Sequence, residues 1–256
     1  MDPVLIQFGS FVIRWYGVMM ATTILVSLWL AYRWGPRFGV DRPLIDRIAW
    51  WLIIALFVGA RLGYVVSHPA EFRDPLEILR VWHGGLSSHG AIAAGLLFVL
   101  LIARRTGRSM WSLADTFAWT IPLGNIFVRF GNFANGELYG DPTTLPWGVR
   151  FPTVPGGPRH PLQLYEMLLA AIILLVASPI ARRRAFPGQV WWGIVVLTSV
   201  GRVLLDLLRS EMRLWGILTA GQIPAVLLIV AGVWFLRRLN QSGSARQSRL
   251  EADASR

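Results

Sequence analysis

Runs of apolar residues long enough to cross a bilayer recur along this chain, and every second run is followed by a group of arginines. Hydrocarbon offers no partner to a backbone N–H or C=O, so a crossing segment must satisfy them internally, which a helix of roughly 17–25 residues does. Seven stretches suit this role: 12–32, 48–66, 90–103, 113–133, 164–180, 190–208 and 217–236. The third is short and gains full length if it starts near Gly85. Hydrophobic residues make up 54% of the chain and charged residues 15%, a composition suited to lipid rather than water. The expected fold is an all-α integral membrane protein with seven transmembrane helices.

All 25 basic residues are arginine, and their placement sets an orientation. Fifteen follow spans one, three, five and seven, whereas seven lie on the opposite side, accompanied by several acids. Short loops rich in Arg stay in the cytoplasm, so the N-terminus is expected outside and the C-terminus inside. The net charge of +11 is thus assigned to topology, and no nucleic-acid partner is expected. The first span is too long for a signal peptide, and it lacks a basic start and a small-residue cleavage site, so it is read as retained. Residues 1–239 form the transmembrane domain. Within it, the Pro- and Gly-rich loop over about 135–161 is read as a small periplasmic cap between spans four and five. Residues 240–256 are polar and expected to form a disordered cytoplasmic tail. No internal repeat is visible, which weighs against a solute or lipid transporter.

Three arginines, Arg61, Arg129 and Arg202, fall in or at the edge of spans. Charges at that depth are costly unless they are paired or face a cavity, so each asks for a reason. Asp206 follows Arg202 by four residues on one helix face, which leaves ion pairing and a functional role both open. Arg61 lies between Gly59 and Gly63, small neighbours that let another helix approach, which favours a structural role. Arg129 sits among Asn132, Asn135 and Glu137, more polar material than one ion pair requires, and favours function. Guanidinium groups converging within a bilayer suit an anionic ligand, most simply a lipid phosphate.

The chain has no cysteine and no lysine, so it can supply neither a thiolate nucleophile nor an amine for Schiff-base chemistry. His83 and His89 are six apart, a spacing unlike a helical metal pair, and no metal or cofactor is expected. His89, in the Gly84–Gly90 segment, can take a proton from a substrate. It can equally be a hydrogen-bonded residue of a helix start. Glu166, in His160-Pro161-Leu162-Gln163-Leu164-Tyr165-Glu166, suits a helix N-terminus or the orientation of an arginine. Tyr16 is by default an interfacial aromatic. All four elements fall in the outer half of the bilayer, which argues for one site.

Together these residues resemble the bacterial prolipoprotein diacylglyceryl transferase family, whose signature is G-R-x-G-N-F-x-N-x-E-x-x-G. Arg129, Gly131, Asn132, Phe133, Asn135, Glu137 and Gly140 match it, and Val128 replaces the first glycine. Arg14-Trp15-Tyr16-Gly17, the 59–64 and 84–90 segments, the His160 segment and Gly221-Gln222 look like further family blocks. Leu162, Ser88, Ala91 and Asp206 depart from the usual pattern. The resemblance implies transfer of a diacylglyceryl group from phosphatidylglycerol to the lipobox cysteine in a prolipoprotein signal peptide. The products are a thioether and glycerol phosphate, made in the bacterial cytoplasmic (inner) membrane among membrane lipids. It implies that His89, Arg129 and Arg202 are catalytic. The substrate-binding set is Tyr16, Arg61, Asn132, Asn135, Glu137, Gly140, Glu166 and Asp206. Another phospholipid-using transferase, or a seven-span transporter, is the alternative.

Overall fold

The computed structural model describes residues 4–8, 11–72, 74–81, 84–152, 154–209, 213–214, 218–219 and 221–254. It is mostly helical. In chain order, strands β1 (Val4–Phe8) and β2 (Phe11–Arg14) lead into helix α1 (Trp15–Trp34), α2 (Arg42–Ser67), α3 (Ser88–Thr106), α4 (Met110–Phe117) and α5 (Thr120–Asn135). Then come α6 (Leu162–Arg182), α7 (Gln189–Leu205), the two-residue strands β3 (Arg213–Leu214) and β4 (Leu218–Thr219), and α8 (Gln222–Ala254).

Five helices among the described residues are long and apolar enough to cross a membrane: α2, α3, α6, α7 with its continuation to Leu208, and α8 as far as Gln241. Only 11–28% of each apolar window is buried inside the protein. Leu96 and Leu97 on α3, Leu168 and Leu175 on α6, and Leu227 and Val230 on α8 are exposed. An apolar surface of that extent is unfavourable in water and fits a lipid surround.

The chain divides into two compact units, Met1–Leu30 with Phe117–Arg256, and Ala31–Thr116. In the second unit α2 and α3 pack together through glycines. A Cβ on Gly90 would lie 2.2 Å from the Gly59 carbonyl oxygen and 2.8 Å from the Gly63 Cα, so only glycine permits this crossing. Helix α3 starts at Ser88, where the Ser87 Oγ accepts a bond from the Gly90 N–H. In the first unit α5 packs on α6, α6 on α7, and α7 on α8.

Three expectations change. The span over 113–133 is two helices, because Pro122 has no N–H for the Ala118 carbonyl and its ring crowds that oxygen; the chain turns at Ala118 and Trp119 between α4 and α5. The last span starts at Gln222 instead of 217, with the antiparallel pair β3–β4 ahead of it. The backbone beyond Asn240, expected to be disordered, continues α8 to Ala254, and its Gln, Ala, Arg, Leu and Glu residues are good helix formers. The loop over 136–161 holds no full strand among its described residues. Two isolated antiparallel bridges, Pro142 with Arg159 and Val149 with Arg159, close it instead.

Candidate active site

Helix α5 ends in a way that shapes the signature stretch. Gly136 adopts the left-handed conformation with φ 72°, its N–H bonds to the Phe133 carbonyl at 3.1 Å, and the Glu137 N–H bonds to the Asn132 carbonyl at 3.0 Å. This paired closure of a helix end needs a residue tolerant of positive φ, which glycine is. It also turns Glu137 back towards the helix. The Glu137 Oε1 then accepts from Asn132 Nδ2 at 2.8 Å and from Asn135 Nδ2 at 3.2 Å. The Asn132 Oδ1 accepts from Arg129 Nη1 at 3.1 Å, so the asparagine links carboxylate to guanidinium. Gln163 of α6 is fully buried and donates to the Glu137 carbonyl.

Charge concentrates where α5, α6 and α7 meet. Glu166 on α6 receives Arg129 Nε on one carboxylate oxygen and Arg209 Nη2 on the other at 2.6 Å, with Arg202 Nη1 at 3.9 Å. Helix α7 ends at Leu205 and tightens into a 3-10 turn over Asp206–Leu208, which keeps residues 202, 206 and 209 together. Asp206 pairs with Arg202 Nε at 3.0 Å and with Arg209 Nε at 3.6 Å. Three arginines therefore share two buried carboxylates, and Glu137 is linked to the same cluster through Asn132. The Glu166 and Asp206 side chains are 6% and 0% exposed, and Arg209 is 7% exposed; Arg129 and Arg202 keep 16% and 30%. Arg209 is thus sealed in, whereas Arg202 and Arg129 remain open to an anion.

The start of α8 is tied to the same cluster. Thr219 Oγ1 accepts from the Gln222 N–H at 3.2 Å, and Gln222 Oε1 accepts from the Thr219 N–H at 3.0 Å, a reciprocal cap. The Thr219 hydroxyl donates to Asp206 Oδ2 at 3.3 Å. A Cβ on Gly221 would meet Arg202 Nη2 and Asp206 Oδ2, both at 2.9 Å, so glycine here makes room for the ion pair. Gly140 plays a similar part. A Cβ there would meet His160, Leu162 and the Leu208 carbonyl oxygen, each at 2.9 Å. Its N–H bonds to the His160 carbonyl at 2.8 Å, and the Asp141 N–H bonds to the Leu208 carbonyl at 3.0 Å. Beside this turn, an open cavity of about 520 Å³ is lined by residues 135–139 and Val154.

Arg129, Asn132, Asn135, Glu137, Glu166, Arg202 and Asp206 thus form one network in the first unit, with Gly140 packed where the chain returns to α6. Two expected site residues belong to the second unit. His89 is exposed on the first turn of α3. Arg61 is buried and spends its donors on backbone carbonyls between Glu77 and Gly85. The Tyr16 side chain lies outside the described residues, although its backbone opens α1. Arg209 and Thr219 join this network, although neither is among the expected site residues. Arg209 follows Arg202 at seven residues, two helical turns, and Thr219-x-x-Gln222 is a capping signature, so both carried a signal.

A family model described as prolipoprotein diacylglyceryl transferase matches residues 3–238. The chain belongs to this family. Its relatives include proteins named phosphatidylglycerol–prolipoprotein diacylglyceryl transferase. That of Nitratidesulfovibrio vulgaris (strain Miyazaki F) is 37% identical, over 93% of this chain and 93% of the relative. That of Solidesulfovibrio magneticus is 37% identical, over 96% and 97%. The Thermus thermophilus protein is 34% identical, over 95% of this chain and its own full length. The match to the diacylglyceryl transferases takes in both compact units and every residue of the charged network.

Proposed function

We infer that this chain transfers the diacylglyceryl group of phosphatidylglycerol to the cysteine thiol of a prolipoprotein. The observation that carries this reading is the cluster of three arginines on two buried carboxylates, in a chain that full-length relatives of that name match throughout. Forming a thioether while releasing glycerol phosphate requires sulfur to attack the glyceryl carbon. The bond from that carbon to the phosphate oxygen breaks, and the bonding pair leaves with the phosphate. The thiol proton goes to a base, for which His89 is the candidate. The absence of cysteine agrees with a thiol that belongs to the substrate.

Arg202 and Arg129, the two cluster arginines with exposed surface, take the phospholipid phosphate and stabilise the charge that grows on it as the bond breaks. Glu166 and Asp206 hold the guanidinium groups in place. Asn132, Asn135 and Glu137 position the lipid headgroup, together with Tyr16. Seven crossings result if the pair α4–α5 counts as one with α1, α2, α3, α6, α7 and α8. The arginine asymmetry supports an N-terminus outside, a cytoplasmic C-terminus and a periplasmic cap over 135–161 in the inner membrane.

The test is product formation. Purified protein is incubated with phosphatidylglycerol and a lipobox peptide, and the peptide is weighed by mass spectrometry for the diacylglyceryl increment. Folded protein that never yields it, with several phospholipids offered, removes this function. Arg129→Gln is expected to abolish the product while the protein stays folded; surviving activity would remove Arg129 from the phosphate site.

A further inference from the structure

Arg61 is 5% exposed, and each of its five N–H groups meets a backbone carbonyl. Nε donates to Ile78 O at 2.9 Å; Nη1 donates to the Gly84 and Gly85 carbonyls, the latter at 2.9 Å; Nη2 donates to the Glu77 and Arg80 carbonyls, the latter at 3.4 Å. The Phe72 ring covers the guanidinium at 4.9 Å. No donor is left for a lipid phosphate. No carboxylate pairs with Arg61 among the described residues, so the cation is held by carbonyl dipoles and the Phe72 ring.

The loop is built around this one side chain. Gly84 and Gly85 have φ of 90° and 80°, consecutive left-handed residues that carry their carbonyls to Nη1. A Cβ on Gly85 would lie 2.8 Å from that nitrogen and 2.7 Å from the Tyr64 ring. Two residues on, the Ser87 N–H bonds to the Ala60 carbonyl at 2.9 Å, and its Oγ caps α3. His89 follows on the first turn. Arg61 and its neighbour Ala60 therefore stitch residues 77–80 and 84–87 onto α2, up to the residue that caps the helix bearing His89.

We propose that Arg61 is a positioning residue for His89 and not a phospholipid ligand. It fixes residues 77–80 and 84–87, and with them the place from which the imidazole meets the substrate thiol. This rests on His89 being the proton acceptor. An ammonium offers three donors to five carbonyls, so Arg61→Lys keeps the charge but releases part of the loop.

The experiment uses the full chain in lipid nanodiscs, as wild type, Arg61→Lys, Arg61→Ala and Gly85→Ala. Thioether formation is followed against phosphatidylglycerol concentration. The four histidine rings are followed by NMR of 13C-histidine protein, with His89→Gln assigning the signal of interest. In Arg61→Lys and Gly85→Ala the His89 ring signal is expected to move while that of His160 stays. Turnover is expected to fall about a hundredfold with the KM for phosphatidylglycerol unchanged, because a misplaced group of about 1 Å costs that much. Free guanidinium ion should restore part of the turnover of Arg61→Ala. A KM that rises while turnover is kept would make Arg61 a lipid ligand and overturn the proposal. A His89 signal unmoved in both Arg61→Lys and Gly85→Ala would overturn it too, and needs no folded Arg61→Ala. If His89→Gln keeps full activity, the proton-acceptor reading fails separately, while the ring signals still decide whether Arg61 places His89.

Discussion

Glu166 is the residue on which the charged cluster turns. Both of its oxygens are used, one by Arg129 and the other by Arg209, and Arg202 stands 3.9 Å away. Removing one partner of a buried ion pair leaves the rest uncompensated, at a cost of about 3–5 kcal/mol. Glu166→Gln keeps the shape and takes away the charge. It is expected to lose stability of that order, read as a lower melting temperature in detergent, and to lose product formation as Arg129 and Arg202 drift. Wild-type stability in this variant would show that Asp206 alone can hold three arginines. Sequence reading brought Arg129, Glu166, Arg202 and Asp206 forward because each breaks the apolar pattern around it. It passed over Arg209, which lies just past the end of α7, where an arginine reads as an ordinary flanking charge until its bonds to two carboxylates are seen. For Arg61 the flanking glycines favour a structural role and the resemblance a substrate-binding one; its partners are backbone carbonyls, which no side-chain pattern announces.

At the scale of elements, the ends of helices do more for the site than their middles. The closure at Gly136 turns Glu137 onto Asn132, and the reciprocal cap of Thr219 and Gln222 places a hydroxyl on Asp206. Two variants separate these duties. Gln222→Ala removes one half of the cap and is expected to cost about 1 kcal/mol with turnover little changed. Thr219→Val removes the cap acceptor and the bond to Asp206 together, so it should lower turnover as well as stability. Equal turnover in the two variants would show that the Thr219–Asp206 bond has no part in the reaction. The long helices were legible because hydropathy averages well over twenty residues. The same averaging hid the break at Ala118 and Trp119, since one proline barely alters a window's mean although it removes a backbone bond. The strand pairs β1–β2 and β3–β4 were hidden too, being short and set against membrane helices.

Across the whole molecule, arginine count and helix count make separate statements about orientation, and they must agree. Fifteen arginines on one side predict a cytoplasmic C-terminus. An odd number of crossings then requires the N-terminus outside, which holds only if α4 and α5 together cross once. The cysteine-free chain allows a direct check, because any introduced thiol is the only one present. Ala70, Thr106, Thr144 and Gln241 are exposed; Ala70 and Thr144 lie between spans, and Thr106 and Gln241 end the spans of α3 and α8. In intact cells with a permeable outer membrane, a maleimide unable to cross the inner membrane should label Ala70→Cys and Thr144→Cys. Thr106→Cys and Gln241→Cys should react only after the inner membrane is opened. Thr106 precedes α4 and Thr144 follows α5, so this pair isolates the broken span. If both label from outside, or neither does, α4–α5 enters and leaves on one face. The crossings would then number six, and if neither labels, the charged end of α5 would lie on the cytoplasmic side, away from a substrate thiol presented outside.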